Sequence, residues 1–172
     1  MGRIVPGKRI ELAIEALARV PDVHLAIIGE VFACSEEYEA ELRKLARDLG
    51  VGPRVHFLGY MDAEDIYRRI DILLVTNPQE ASGRTVGEAM VRGLPAIVPT
   101  NGGAREFFKH ATGNPGGVTW DVLAGVPSIA AEISRLASSP ALRLQIGARG
   151  AQIIHNERNP LEIARTYLNA LQ

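Results

Sequence analysis

Short apolar runs alternate with amphipathic helical segments along this chain, and this alternation constrains the fold more than any other feature. Five runs are predicted to be strands: Val23–Ile28, Val55–Leu58, Asp71–Val75, Leu94–Pro99 and Gly117–Trp120. They are largely apolar along their whole length, which is typical of a parallel sheet that is covered on both faces. We therefore predict an α/β fold, a Rossmann-like parallel sheet of about five to six strands with helices on both faces.

Helical spacing of apolar residues predicts helices in the intervals between these strands. The first begins at Lys8 and is stopped at 20–22, and Asp62 is predicted to cap a short helix that ends near Ile70. The remaining predicted helices are 38–49, a short one from Gly83, Ala104–His110, Ser128–Ala137, Pro140–His155 and Pro160–Leu171. Pro140 fits the first turn of its helix, with Ser139 as the capping residue.

The length and the charge of the chain narrow the classes of protein to which it can belong. Its 172 residues suffice for one domain with a well-formed core. A formal net charge of −1 offers no overall field that would attract nucleic acid or an anionic membrane, so any phosphate binding must be local. The single cysteine, Cys34, excludes an intrachain disulfide. No apolar run reaches the length of a membrane span and no signal peptide is recognised, which predicts a cytoplasmic location.

The stretch 76–93 is the strongest candidate for a ligand site. It joins the predicted strand Asp71–Val75 to a helix, and Gly83 marks the predicted start of that helix. Glycine lets a ligand approach the backbone closely, and a helix N-terminus favours an anion. Glu80 precedes the helix and Glu88 lies inside it, where carboxylates would accept hydrogen bonds from vicinal hydroxyls such as those of a ribose. Ligands of parallel sheets bind at the carboxyl ends of the strands, so other turns are expected to converge here.

Each candidate residue also has a plainer interpretation, and the spacing alone leaves both open. Arg3 and Lys8 flank the first turn, where they would either bind a phosphate or remain solvated surface cations. Glu80 and Glu88 would be ligand contacts or exposed carboxylates. Gly83 would admit a ligand or serve only the dihedral angles of the turn.

The histidines and the aromatic residues point to no other chemistry. His24 and His56 fall in predicted strands, where core or edge positions are more typical than catalytic bases. None of the four histidines has metal-ligand spacing with another or with Cys34. No nucleophile elbow, phosphate-binding P-loop or dinucleotide fingerprint is present. An aromatic content of 5% without basic interleaving argues against a nucleic-acid platform.

Several motifs together resemble those of family 4 glycosyltransferases, over essentially the whole chain. Arg3 and Lys8 lie near the start, and Glu80 and Glu88 lie within the segment Glu80–Met90. The supporting segments are Val55–Tyr60, Gly93–Val98 and Gly102–Glu106. The resemblance implies one Rossmann-like half of the two-domain GT-B arrangement, the C-terminal half that binds the nucleotide-sugar donor.

The same resemblance implies a role for each candidate residue. Arg3 and Lys8 would hold the donor diphosphate and stabilise it as a leaving group. Glu80 would contact hydroxyls of the transferred sugar, which is expected to be a hexose, and Glu88 would accept hydrogen bonds from the ribose. The backbone amides at Gly83, Arg84 and Thr85 would face the donor, and the loop at Gly59 and Tyr60 would lie near the UDP, GDP or ADP base. Enzymes of this family retain the anomeric configuration and generally need neither a metal nor another cofactor.

The motif departs from the family pattern in three places, since Ser82 stands where phenylalanine is usual, Gly87 replaces a branched aliphatic residue and Thr76–Pro78 replaces the common Pro-Ser turn. Glycine inside a helix predicts a looser helix or one packed closely on a neighbour. The family's N-terminal acceptor-binding domain is not in this sequence, which predicts a single-domain fragment that is inactive alone and works with that domain in cis or in trans. Peripheral membrane association would then come through the missing domain. The alternative is a non-catalytic nucleotide or nucleotide-sugar binding module that acts with a separate subunit.

Overall fold

Five short parallel strands form the centre of the domain. We analysed a computed structural model that describes residues 2–31, 35–79, 83–108 and 116–157. The strands are β1 (Leu25–Ile28), β2 (Val55–Gly59), β3 (Leu73–Leu74), β4 (Ala96–Pro99) and β5 (Val118–Trp120). β1 pairs with β2, and β4 lies between β3 and β5, with every pairing parallel. The predicted α/β class and the parallel arrangement are confirmed.

The sheet differs from the prediction mainly in continuity. Over the described residues the strands number five, against the predicted five to six, and they form two sheets instead of one. Leu73 and Leu74 alone pair as β3, although the apolar run Asp71–Val75 predicts a longer strand. β1 and β3 therefore each have a neighbouring strand on one side only, and a gap separates the two sheets.

Helices cover both sheets. They are α1 (Ile10–Leu17), α2 (Glu36–Asp48), α3 (Ala63–Tyr67), α4 (Arg84–Val91), α5 (Val126–Ala137) and α6 (Pro140–Glu157). Short 3-10 turns that lie wholly within the described residues are Pro6–Lys8, Gly52–Arg54 and Gly103–Phe108. The predicted helix Pro160–Leu171 lies outside the described residues.

Helix ends show where local patterns succeed and where they fail. Ser139 caps α6 as predicted, because its hydroxyl oxygen accepts a hydrogen bond of 3.2 Å from the amide of Leu142. Lys8 does not open a helix, contrary to the prediction. It ends a 3-10 turn, and α1 follows a left-handed Arg9 with φ of 52°. Asp62 occupies the N-cap position of α3 as predicted, but its side chain makes no capping bond, and the helix ends at Tyr67 rather than near Ile70.

The most deeply buried part of the core surrounds β4, all four residues of which are buried. Its two faces contribute to different hydrophobic clusters, with Val98 in one and Ile97 in the other. Trp120 is 1% exposed and donates from Nε1 to the carbonyl of Val75 at 2.9 Å, which ties β5 to the end of β3. A third cluster joins β1 to α1 and α2. No helix among the described residues is long and apolar enough to cross a membrane.

Candidate functional site

An open cavity of ≈ 510 Å³ lies between the carboxyl ends of β1 and β3. Two segments far apart in the chain border it, the first turn and the stretch from β3 into α4. The polar residues that line it are Arg3, Lys8, Thr76, Asn77, Arg84, Thr85 and Glu88. The structure thus brings Arg3, Lys8 and Glu88 together at the edge where the sequence predicts them to meet.

The start of α4 presents backbone amides to this cavity. Gly83 is the N-terminal boundary of α4, as predicted, and adopts a left-handed conformation with φ of 55°. Its carbonyl accepts hydrogen bonds from the amides of Val86 and Gly87. The amides of Arg84 and Thr85 precede the first intrahelical donors, so they are available to an anion at the positive end of the helix dipole.

The carboxylate of Glu88 is held in place by a tyrosine that the sequence does not single out. Tyr67 is 4% exposed, and its hydroxyl donates to Glu88 Oε2 at 2.9 Å and lies 3.2 Å from the carbonyl of Thr85. Burial first, and then the hydrogen bond to Glu88, raise the pKa of Tyr67 above its ordinary value. Glu88 is half-buried, and its carboxylate keeps further acceptor capacity for a ligand hydroxyl.

The buried hydroxyl of Thr76 links the two segments of the chain that border the cavity. Thr76 is 7% exposed and follows β3, and its Oγ1 donates to the carbonyl of Lys8 at 2.8 Å. This bond joins the first turn to the loop that leads towards α4. Arg3 is exposed, Lys8 is half-buried and the exposed Arg84 adds a third cation, so the described residues that line the cavity include three positive side chains and one carboxylate.

Other predicted site residues lie elsewhere or outside the described part of the chain. Gly59 and Tyr60 do not line the cavity, and Tyr60 is 72% exposed at the end of β2. Glu80 and Ser82 lie outside the described residues. The sequence prediction missed Tyr67, and it included Thr76 and Asn77 in the stretch 76–93 without giving either a role. Tyr67 bonds to Glu88, 21 residues away, and Thr76 bonds to Lys8, 68 residues away. Contacts between such distant positions leave no spacing pattern in the sequence.

Gly87 is explained by close packing rather than by a loose helix. A Cβ at Gly87 would lie 2.8 Å from Cε1 of Phe107, and a Cβ at Gly83 would lie 2.8 Å from Cε2 of the same ring. The Phe107 ring therefore rests on the face of α4 that these two glycines leave bare. Of the two sequence-based expectations, a looser helix or close packing on a neighbour, the structure shows close packing.

The histidines form no site with this cavity. His24 and His56 are exposed at the amino ends of β1 and β2, with Nδ1 and Nε2 2.9 Å apart and the rings stacked. Within the described ranges, no three His, Cys, Asp or Glu side chains are grouped as a metal ion would require. The expectation that no metal is needed stays a prediction.

Comparison with known proteins assigns the family. Residues 1–153 match the sequence model of the family described as Glycosyl transferases group 1, and the chain belongs to that family. LpsE of Rhizobium meliloti (strain 1021), a lipopolysaccharide core biosynthesis glycosyltransferase, is 28% identical over 172 residues, which are 99% of this chain and 48% of LpsE. The uncharacterized glycosyltransferase MJ1607 of Methanocaldococcus jannaschii is 30% identical over 132 residues, which are 71% of this chain and 33% of that protein. The chain thus spans about half or less of the length of these curated relatives.

Solved structures confirm the fold. Anabaena Alr3699/HepE, crystallised in complex with UDP, superposes with a TM-score of 0.86 at 24% identity, over 99% of this chain and 47% of that chain. The C-terminal domain of the Glycosyl Transferase Group 1 Family Protein LpcC from Francisella tularensis superposes with a TM-score of 0.80 at 24% identity. That match covers 93% of this chain and 84% of the LpcC chain. At these identities the likeness establishes the fold of a GT-B glycosyltransferase domain.

Proposed function

We propose that this chain binds a nucleotide-diphosphate sugar and is the donor half of a retaining glycosyltransferase of family 4. The carrying observation is the convergence of three cations, an open helix N-terminus and one oriented carboxylate on a single cavity. Cations and helix amides match a diphosphate, and a carboxylate matches vicinal ribose hydroxyls. The complexes of HepE with UDP and with UDP and glucose support a donor of this class.

The chemical demand on the site is the cleavage of the bond between the anomeric carbon and the phosphate oxygen. The electron pair of that bond leaves with the nucleoside diphosphate, while positive charge develops on the sugar. Arg3, Lys8 and the amides of α4 are positioned beforehand to stabilise the departing charge. Glu80, outside the described residues, is proposed to contact the transferred hexose. The anomeric carbon of that hexose bonds to the acceptor oxygen with retained configuration, and the proton of the acceptor hydroxyl leaves with the nucleoside diphosphate. No metal is assigned to this step.

Transfer also requires a site for the acceptor, which we assign to a second, N-terminal domain. That domain would act in cis or in trans, and the chain alone is expected to bind the donor without turnover. A cytoplasmic location, and membrane contact through the second domain, fit this assignment. The second candidate function is a non-catalytic nucleotide or nucleotide-sugar module. The same cavity supports it, since binding requires only Glu88, the cations and the helix N-terminus.

Donor binding is testable on the chain itself. A thermal-shift series with UDP, GDP, ADP and their sugars should give one base with a clear rise in melting temperature. Ligand at 100 times its dissociation constant stabilises by about 2.7 kcal/mol. Glu88→Gln should weaken the response and Glu37→Gln, at an exposed position on α2, should not. No response to any of these nucleotides would contradict both candidate functions.

Catalysis is tested at Lys8 in the intact enzyme. Loss of one electrostatic donor typically costs roughly 3–4 kcal/mol of transition-state stabilisation, so Lys8→Ala should lower kcat by about 100- to 1000-fold. Lys44→Ala is the matched control, because Lys44 is 70% exposed on α2 and pairs with Asp48 on the same helix. Near-normal turnover in Lys8→Ala would remove Lys8 from the mechanism. Donor binding with no turnover in any acceptor assay would favour the non-catalytic module.

A further inference from the structure

Asn77 lies in the donor cavity without a role in the proposed function. It follows the end of β3 by three residues, is half-buried, and lines the cavity together with Lys8, Thr85 and Glu88. Ligands of parallel sheets bind at the carboxyl ends of the strands, and Asn77 stands at that end of β3. A carboxamide carries both an acceptor oxygen and a donor nitrogen, so this side chain can contact a ligand in either way.

Two buried side chains fix the backbone immediately before Asn77. The indole Nε1 of Trp120, which is 1% exposed, donates to the carbonyl of Val75 at 2.9 Å. The hydroxyl of Thr76, which is 7% exposed, donates to the carbonyl of Lys8 at 2.8 Å. The position of Asn77 is therefore set from β5 and from the first turn, and the second bond keeps it beside the segment that carries Lys8.

A hydrogen bond within the loop orients the side-chain amide of Asn77. The backbone amide of Gln79 donates to Oδ1 of Asn77 at 2.9 Å. Only the oxygen of a carboxamide accepts from an N–H group, so this bond also establishes which end of the amide is Nδ2. Nδ2 donates to no acceptor among the residues that the structure describes. Within that part of the chain, both of its N–H groups are left for a ligand.

The groups around Asn77 indicate which ligand atom Nδ2 would meet. Lys8, Arg84 and the amides at the start of α4 all present N–H groups to the same cavity. Phosphate oxygens accept several such bonds at once, which no neutral ligand group does equally well. The plainer role of Asn77 is confined to the loop, because an asparagine that accepts from the amide two residues further on forms an Asx turn without any ligand. That role uses Oδ1 alone.

We propose that Asn77 is a further ligand-binding residue, whose Nδ2 donates a hydrogen bond to a diphosphate oxygen of the bound donor. This inference rests on the proposed function, since it assigns one more contact within the same site. Oδ1 maintains the turn while Nδ2 binds the ligand, so the two ends of one side chain have separate tasks.

Two substitutions separate the turn from the ligand contact. Asn77→Asp keeps an oxygen that accepts from Gln79, but it replaces the donor nitrogen with a second oxygen and adds a negative charge at pH 7. Asn77→Ala removes both the acceptor and the donor. If Asn77 serves the turn alone, Asn77→Asp should match the wild type and Asn77→Ala should be the weaker binder. If Nδ2 binds the diphosphate, Asn77→Asp should be the weakest of the three.

The measurement is a calorimetric titration of the 172-residue chain with whichever of UDP, GDP and ADP gives the largest thermal shift. We expect the dissociation constant to rise about 10-fold in Asn77→Ala and about 100-fold in Asn77→Asp. The melting temperature of Asn77→Asp without nucleotide should stay within about 2 °C of the wild type, because the turn is kept. Asn101→Asp is the matched control, since Asn101 is exposed just after β4 and does not line the cavity. Its dissociation constant should change less than about threefold.

Three results would overturn this proposal while leaving the proposed function in place. Wild-type affinity in Asn77→Asp would confine Asn77 to the turn. Wild-type affinity in Asn77→Ala would show that Asn77→Asp acts only through its charge. A loss of affinity for the sugar nucleotide, without a loss for the nucleoside diphosphate, would move the contact from the diphosphate to the sugar. If the wild-type chain binds none of the nucleotides, the proposed function fails and this inference fails with it.

Discussion

The two sheets of this domain differ in how completely they are enclosed. β4 has a strand on each side and helices on each face, and Ala96, Ile97 and Val98 are all 0% exposed. In the smaller sheet, Ala26 and His56 are exposed and Leu58 is 46% exposed, although apolar residues dominate both strands. Among the described strands only β4 has a neighbouring strand on both sides, and all four of its residues are buried.

The candidate site lies between the two halves of the domain, which are the β1–β2 sheet with its helices and the β3–β4–β5 sheet with its helices. Arg3 and Lys8 come from the segment beside β1, whereas Arg84, Thr85 and Glu88 come from the segment after β3. The hydrogen bond from Thr76 to the carbonyl of Lys8 connects these two segments. A site assembled in this way depends on the relative position of the two sheets.

The largest expected difference between the halves is in the stability that is lost when one buried isoleucine is truncated to alanine. Ile97→Ala should lower the free energy of unfolding by about 3–5 kcal/mol, because a sealed cavity forms around a residue that is 0% exposed. Ile27→Ala should cost about 2 kcal/mol, since Ile27 already borders the open cavity and its surroundings can relax. Urea unfolding measures both. Equal losses would show that the smaller sheet is as tightly packed as the larger one.

Sequence reasoning succeeds here where the signal is local. The run Leu94–Pro99 predicts β4, Gly83 predicts the start of α4, and Ser139 predicts its own capping bond. It fails where the outcome depends on partners distant in the chain. The separation into two sheets depends on which edges are paired, and the bond between Tyr67 and Glu88 depends on how α3 packs against α4. The left-handed Arg9 before α1 breaks a helical pattern that is otherwise continuous from Lys8.

A smaller difference in stability is expected between alanine substitutions at two glycines, Gly147 in one half and Gly7 in the other. Gly147 in α6 lies against the turn after α4, and a Cβ there would collide with the backbone carbonyl of Gly93. Gly147→Ala should cost about 2 kcal/mol, because the collision with backbone outweighs the gain in helix propensity. Gly7→Ala is the control in the other half, where a Cβ would meet nothing within 4 Å, and a change within about 0.5 kcal/mol is expected. A neutral Gly147→Ala would mean that α6 can move away from α4 at little cost.

The smallest effect concerns two tyrosines, one in each half, that donate to carboxylates. Tyr38 donates to Glu11 at 2.7 Å and accepts from the amide of Ile10, and Tyr67 donates to Glu88. Burial first, and then the carboxylate, raise the pKa of each tyrosine above its ordinary value. The folded state therefore favours the protonated phenol. Its contribution to stability is complete below about pH 10, the pKa of an unperturbed tyrosine, and is lost as the pH rises further.

Replacement of either tyrosine by phenylalanine should remove this contribution to stability. Only the replacement of Tyr67 should also weaken ligand binding. Tyr38→Phe and Tyr67→Phe should each cost about 1 kcal/mol at pH 7, and each should reduce the loss of stability above about pH 10. If Glu88 binds the donor ribose, Tyr67→Phe should also weaken nucleotide affinity by about fivefold, since the carboxylate loses the donor that orients it. Tyr38→Phe should leave that affinity unchanged, because Tyr38 does not line the cavity. Calorimetric titration with the nucleotide that gives the largest thermal shift measures the difference. Equal affinities in the two variants would show that Tyr67 supports the fold of its half and does not position Glu88 for the ligand.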